Sequence, residues 1–169
     1  MLIRPFPLVV TLLVNVFLLG CVTPKMEECR NERAVIVIPA FGKVEFSDLV
    51  AHDELFVLLH DKYPVSPGHT LIVARRPVAR FQQLTMQERT RLLYWIDWAQ
   101  THLSESLTPK PDAFNLGLND GPAAGQTKQQ FHFHIIPRYL GDVTDPRGGV
   151  RFVIPSKARY WDAQNSKGP

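Results

Sequence analysis

His132 and His134 are separated by a single residue, and they lie in a segment, 130–136, that alternates strictly as far as Ile135. Phe131, Phe133 and Ile135 are apolar, whereas Gln130, His132 and His134 are polar. A period of two is the strand period, so one face is apolar and the other carries the imidazoles. Alternate residues of a strand stand about 6.6 Å apart, so two imidazoles on one face can serve one small group. A neutral imidazole is a good nucleophile near pH 7. Pro137 is expected to end the strand, because proline cannot donate to a ladder. The loop before it, 119–127 (NDGPAAGQT), is rich in glycine and alanine. Such a loop lets backbone amides approach a ligand closely, as phosphate-binding loops do. A half-exposed strand that happens to carry His and Gln is the other reading of the alternation. The small-residue loop feeding it favours a phosphate held beside a nucleophilic imidazole.

The stretch 125–138, GQTKQQFHFHIIPR, resembles the signature of the histidine-triad (HIT) nucleotide hydrolases and transferases. That signature is three histidines at alternate positions followed by two apolar residues, often after a Gly-Gln-Ser/Thr loop. His132 falls on the middle histidine, His134 on the third, and Gln130 replaces the first. The resemblance implies that His132 attacks the α-phosphorus of a nucleotide and forms a nucleotidyl-histidine intermediate. Its other ring nitrogen would donate to a backbone carbonyl on the neighbouring strand. His134 would hold the non-bridging phosphate oxygens, best when protonated. Asn119, Gln126 and Thr127 would surround the phosphates, with Thr127 near the leaving group. The scheme needs no metal and no cofactor. Gln130 can donate and accept through its amide but cannot carry charge.

Asp61 follows a predicted strand, and from the residues alone it reads as an Asx-turn residue. The segment YPVSPGHTLIVARR resembles the xPxxPxH stretch and strand of the same family. On that match Asp61 is a ribose ligand, Leu59 faces the base, and His69 supports the site from behind. Many relatives continue with Lys-Arg-His; here the residues are Arg75, Arg76 and Pro77, so no role is carried over there.

The elements that must hold these groups are legible in part. Residues 34–38, 54–60, 69–74 and 113–118 read as strands. Residues 61–68 carry turn chemistry, and 41–50 are ambiguous. Thr85-x-x-Glu88 is a capping box, and Leu92, Trp95, Ile96, Ala99 and Leu103 recur at helical spacing until Pro109 and Pro111 stop them. Glu88, Arg89, Arg91, Asp97 and Gln100 are expected to face outward, and the aromatic cluster of Tyr94, Trp95 and Trp98 to join the core. The prediction is an α+β fold: a mainly antiparallel five-stranded sheet with one long packed helix, spanning 34–155. Beyond Arg138, Arg147 and Arg151 either reach a distal phosphate or belong to a solvated loop. Residues 156–169 are expected to be disordered.

With 169 residues and 45% hydrophobic content, the chain suits one domain with a tail. The net charge of +3 comes without a dense Lys/Arg run, which argues against a nucleic-acid partner. The two cysteines, Cys21 and Cys29, form no repeated C-x-x-C pattern. Residues 8–19 are almost wholly apolar, too short to span a bilayer and preceded by Arg4. Leu18-Leu19-Gly20-Cys21 resembles a bacterial lipobox, so 1–21 is read as a signal or lipoprotein-like segment, with a lipid anchor at Cys21 holding the protein at the membrane of the cell envelope. The competing reading is a start codon assigned too far upstream of a cytoplasmic enzyme. Segment 22–33 reads as a linker.

Four functions compete. The first is a hydrolase of dinucleoside polyphosphates or nucleoside phosphoramidates. The second is a nucleotide-binding module with little turnover. The third is a uridylyltransferase-type enzyme, whose His-x-His-x-Gln order this chain reverses. The fourth is a metal site of His60, His69, His132 and His134, which lacks close helical or C-x-x-C spacing. The resemblance also implies a homodimer in many relatives.

Overall fold

The computed structural model describes residues 35–161. Cys21, the apolar segment and the linker therefore lie outside the described residues. Among the described residues, seven strands form two sheets. β1 (Val35–Ile38) and β2 (Gly42–Glu45) make an antiparallel hairpin. β3 (Leu49–His52), β4 (Phe56–His60), β5 (Thr70–Ala74), β6 (Ala113–Gly117) and β7 (His132–Arg138) make a five-stranded sheet in the order β3-β4-β5-β7-β6. Every pairing is antiparallel. With the single long helix α1 (Met86–Ser106), this is the α+β architecture expected from the sequence. The ambiguous stretch 41–50 resolves into β2, a short 3₁₀ turn and the start of β3. No helix among the described residues is long and apolar enough to cross a membrane.

Period-two patterning decides which face each residue joins. Phe56, Leu58, Ile72, Ala74, Phe131 and Ile135 pack with Leu92, Trp95, Ala99 and Leu103 of α1. Val57, Leu59, Leu71 and Val73 face the other way and are covered by Ile36 and Ile38 of the hairpin. β5 is buried along its whole length, which is why it reads as an unbroken apolar run rather than an alternating one. On β7 the helix side takes the apolar residues, so the imidazoles fall on the hairpin side.

The capping box forms as expected: the Thr85 hydroxyl accepts from the Glu88 amide at 3.2 Å, and the Glu88 carboxylate accepts from the Thr85 amide at 2.7 Å. Glu88 does not face outward. It is 3% exposed because Arg76 reaches it with two hydrogen bonds, at 3.0 and 2.9 Å. That guanidinium holds the Glu88 carboxyl down to about 2 against the opposing effect of burial. Arg91 also turns inward, donating to Asp53. Trp95 is fully buried, Trp98 is half-buried and Tyr94 stays at the surface.

Asp53 ties helix to sheet. One carboxylate oxygen accepts from the Leu55 and Phe56 amides at 2.8 Å each, starting β4. The other accepts from Trp95 Nε1 at 2.8 Å and from Arg91. Removing it strands several donors in a half-dry site, so Asp53→Ala is expected to destabilise the fold by ~2–3 kcal/mol. Urea unfolding checks this; a loss below half a kilocalorie would contradict it.

Two expectations are corrected. Pro137 lies inside β7, opposite Phe114, rather than ending it. β5 has already ended at Thr70 opposite Ile135, so no strand on that side requires a donor from Pro137. Its carbonyl accepts from Ser66 Oγ at 2.7 Å. The tail is also ordered further than expected. A 3₁₀ segment at Gly149–Val153 leads into α2 (Pro155–Ala158), where Ala158 is fully buried. Arg147 is held by Asp145 and lies over the Trp161 ring, while Arg151 donates to the Lys157 and Ala158 carbonyls. Both arginines are thus engaged in the tail's own contacts. Residues 162–169 lie outside the described part.

Candidate functional site

The site is built on the hairpin side of β7. Val73 stands opposite His132, and Leu71 opposite His134, so β5 sets the floor on one flank. The two imidazole centroids are 5.2 Å apart and nearly perpendicular, at 70°. His132 is 8% exposed; the face predicted to carry the imidazoles is a recess rather than an open surface. The cause is Phe41, from the turn of the hairpin, whose ring meets His132 edge-on at 5.8 Å. Phe41 was not singled out from sequence, where it opened the ambiguous stretch and offered only its apolarity.

Hydrogen bonds settle the tautomers. His132 Nδ1 lies 2.8 Å from the Gln130 carbonyl, which can only accept. Nδ1 therefore carries the proton, and the Nε2 lone pair is free. The orienting carbonyl belongs to the same chain segment, two residues upstream, and not to the neighbouring strand as expected. The Val65 amide donates to His69 Nδ1 at 3.3 Å, which leaves the His69 proton on Nε2. His69 Nε2 lies 2.9 Å from His134 Nδ1 and donates to it. Neutral His134 then bears its proton on Nε2, as a donor.

The charge state follows the same logic. Burial, then the neighbouring His132 and His69, push the His134 pKa down to about 4, with Asp61 opposing. Burial likewise lowers His69, again against Asp61. With its pKa lowered in this way, His134 near neutral pH is a neutral N–H donor. A lowered histidine pKa means that the folded state binds fewer protons than the unfolded chain, so stability rises with pH across that window. The expected result is that stability falls as the pH drops from about 6.5 through about 4, and that the His134 ring signal titrates with a midpoint near 4 by NMR. A midpoint at or above 6 would refute it.

Asp61 makes the turn contact read from the residues alone, and its other oxygen faces the histidines. Oδ1 accepts from the Tyr63 amide at 2.8 Å, an Asx-turn contact. Oδ2 points into the site, 3.6 Å from His69 Nε2 and 4.0 Å from His134 Nδ1. Leu59 is buried on the same sheet face beneath the hairpin.

Gln130 sits entirely inside the protein, just before β7. Its amide nitrogen donates to the Arg76 carbonyl at 2.7 Å and to the Ala74 carbonyl, clamping the exit of β5 to the entry of β7. It cannot touch a ligand, so its expected place among the catalytic groups becomes a positioning one.

The loop is less open than its glycines suggested. The amides of Ala124, Gly125 and Gln126 close a turn on the carbonyls of Gly121 and Pro122. Gln126 directs its side-chain amide to the Ala79 carbonyl at 2.8 Å, which holds the loop down rather than reaching outward. Gly121 is required where it is: its φ is +112°, and a Cβ would lie 2.7 Å from the Arg80 guanidinium. Asp120 accepts from that guanidinium and from the Phe81 amide, both at 3.0 Å. Asn119 packs beside Gly125, and Thr127 is exposed.

Among the described residues, Asp61, His69 and His134 bring one ligand atom each within 4.8 Å of one another. His60 and His132 are outside that group, so the four-histidine site considered from sequence does not assemble. A cation on His69 Nε2 would force that ring's proton onto Nδ1, against the Val65 amide. The arrangement suits a hydrogen-bond relay better than a metal.

The HIT domain model matches residues 43–141. The chain is 37% identical over 82 residues to a bis(5'-nucleosyl)-tetraphosphatase (asymmetrical) of Schizosaccharomyces pombe, covering 48% of this chain and 44% of that protein. It is 33% identical over 95 residues to an AP-4-A phosphorylase of Mycobacterium tuberculosis, covering 56% and 48%. The chain spans about half the length of these curated relatives. A histidine triad nucleotide-binding protein of Sulfolobus tokodaii superposes with a TM-score of 0.52 at 31% identity, covering 58% of this chain and 64% of that one. A diadenosine triphosphate hydrolase of Plasmodium falciparum, 19% identical, shares the fold with a TM-score of 0.58 over 82% and 89% of the two chains.

Proposed function

This chain belongs to the HIT domain family, and from that premise we propose that it is a nucleotide hydrolase that cleaves at the α-phosphate of a dinucleoside polyphosphate or a nucleoside phosphoramidate. The observation that carries the reading is the free Nε2 of His132, its partner nitrogen fixed on the Gln130 carbonyl at 2.8 Å. His132 Nε2 attacks the α-phosphorus, and the bond from that phosphorus to the leaving group breaks. The leaving group departs as the remaining nucleoside polyphosphate, or as ammonia from a phosphoramidate. Water then attacks the phosphorus, the P–N bond returns its electrons to His132, and the nucleoside monophosphate leaves. The Gln130 carbonyl, accepting from Nδ1–H, stabilises the positive charge that grows on the ring.

His134 donates Nε2–H to a non-bridging oxygen, with its tautomer set through His69 by the Val65 amide. An incoming phosphate adds negative charge beside His134, which favours its protonation in the complex. Asp61 Oδ2 accepts from the ribose hydroxyls, and Leu59 lies toward the base. Asn119 and Thr127 stand on the phosphate side, with Gln126 holding the loop. The curated relatives named for bis(5'-nucleosyl) tetraphosphate and AP-4-A support this substrate class.

The test is to incubate purified full-length chain with diadenosine tetraphosphate and with adenosine 5′-phosphoramidate, and to separate the products. AMP formation, together with a trapped adenylyl-protein that is lost in His132→Ala, supports the reading. Tight nucleotide binding without product from either substrate would replace it with the binding module.

A further inference from the structure

We propose that Lys128 is the residue that selects for a charged leaving group: its ammonium, carried on the Phe41 ring, engages the phosphates that depart when His132 attacks. The inference rests on the reading of His132 as nucleophile and adds to it a residue that discriminates between substrates.

Positive charge is what the site lacks. A phosphate chain brings several negative charges, and Asp61 already stands among the histidines with another. His134, its pKa lowered to about 4, is a neutral donor before any phosphate arrives. The amides of Ala124, Gly125 and Gln126 already close a turn on the carbonyls of Gly121 and Pro122. The Gln126 side chain holds the Ala79 carbonyl. Arg80, the guanidinium beside the loop, is paired with Asp120 at 3.0 Å. A chain of phosphates is held best by a cation that has no other anion to serve.

Lys128 is such a cation. It follows Thr127 and stands between the loop and β7. It is exposed, and its side chain forms no ion pair or hydrogen bond among the described residues. What it does meet is a ring: Nζ stands over Phe41, 5.9 Å from the centroid. The same ring meets His132 edge-on at 5.8 Å. The ammonium and the nucleophilic imidazole thus share one aromatic neighbour. Other lysines are placed differently. Lys62 lies over the Tyr63 ring, next to Asp61 and so on the ribose side. Lys43 pairs with Val37 on the outer face of the hairpin, away from the buried Ile36 and Ile38.

The accessibility of the nucleophile adds a second observation. His132 is only 8% exposed. Yet its Nε2, which has no partner, is not sealed. Among the described residues the sealed, unpartnered side-chain atoms are His52 Nε2, Arg89 Nε and Gln130 Oε1. His132 Nε2 therefore opens through the narrow part of the recess that Phe41 leaves uncovered. In-line attack sends the leaving group away from Nε2, outward from the recess to its rim. On the Phe41 side that rim carries Lys128. A cation–π contact keeps the ammonium there without neutralising it. Its flexible four-carbon stem lets it follow the departing phosphates. An uncharged leaving group gains nothing from it.

The experiment compares leaving groups of different charge. Diadenosine tetraphosphate expels ATP, whereas adenosine 5′-phosphoramidate expels ammonia. Specificity constants for both are measured at low and high salt, with Tm, for full-length native chain, Lys128→Met, Lys128→Arg and Phe41→Leu. Lys128→Met keeps an apolar stem and removes the charge. Its kcat/KM for diadenosine tetraphosphate is expected to fall at least ~10-fold further than its kcat/KM for the phosphoramidate, at unchanged Tm. Lys128→Arg should restore most of the preference. Added salt should weaken the preference in native chain and not in Lys128→Met. Phe41→Leu keeps an apolar cover on His132 but offers no ring face, so it should lose part of the preference. Lys110→Met makes the same charge change in the turn after α1 and should leave every constant within about twofold of native.

Lys128 is overturned as the selecting residue if both substrates lose equally, if neither loses, or if Lys110→Met shifts the ratio as much. An unchanged ratio in Phe41→Leu overturns the aromatic platform. Calorimetry separates these outcomes from failure of the nucleophile reading, because ATP carries phosphates beyond the α position and AMP carries none. Affinity for ATP relative to AMP should drop ~10-fold in Lys128→Met. If native chain turns over neither substrate, the nucleophile reading fails by itself; an unchanged ATP-to-AMP ratio would sink Lys128 whether or not turnover is seen.

Discussion

Replacing His132 with alanine is expected to lower kcat/KM on diadenosine tetraphosphate by ~10,000-fold or more, with the fold retained. The size follows from the chemistry. Without the imidazole no covalent intermediate forms, and water must attack phosphorus directly, with only charge stabilisation from His134 and the loop left to help. The fold should survive because the His132 ring meets Phe41 and His134 at the site, and its hydrogen bond runs to a nearby carbonyl rather than across the sheet. Nucleotide affinity should also survive, since Asp61 and His134 remain. Single-turnover product analysis with nucleotide binding by calorimetry separates the two effects. A variant that keeps more than about a tenth of native activity would show that a different group attacks.

The second large effect concerns Gln130, through stability and positioning together. Its fully buried amide serves two backbone carbonyls, at Ala74 and Arg76. Its own carbonyl orients His132. Gln130→Ala leaves those acceptors unpaired and opens a cavity, so a loss of ~2–4 kcal/mol is expected. Activity at a temperature where the variant remains folded should drop ~10- to 100-fold, through kcat rather than KM, because the backbone carbonyl that orients the ring is no longer clamped in place while the ligand contacts remain.

Gln130→Glu tests the mechanism with a sign. An ionised carboxylate would face two carbonyl oxygens, so its folded-state pKa must lie above the unfolded value. Its stability contribution is then present at low pH and lost as the pH rises through the folded pKa. This variant should therefore gain stability relative to native as the solution is acidified. Equal pH profiles for the two chains would remove the clamp from the account. Gln130→His keeps a donor at the same place and should recover part of what alanine loses.

The local rules were sufficient for β4 to β6 and α1, and left β2 and β3 undecided within 41–50. Strict alternation through 130–135 determined which side of β7 carries the imidazoles, because side-chain direction in a strand depends only on parity. The capping box determined where α1 begins, because its two hydrogen bonds join residues three apart. The family signature located His132 and His134 because that chemistry is concentrated in one short stretch.

What the linear chain could not express was partnership between distant residues. Glu88 and Arg91 occupy helical positions that looked solvated, and they turn inward only because Arg76 and Asp53 are brought against them. His134 looked like a cation for phosphate. Its neutrality in the empty site comes from burial and from His69, which is 65 residues away in sequence. Gln130 looked like a substituted catalytic group, yet it is a clamp between carbonyls of the preceding strand's exit. Pro137 looked like a stop, and it continues the strand because the neighbour that would need its missing hydrogen has already ended. Parity and capping act within a few bonds and so are written in the sequence, whereas desolvation and tautomer choice depend on which surfaces the folded chain brings together.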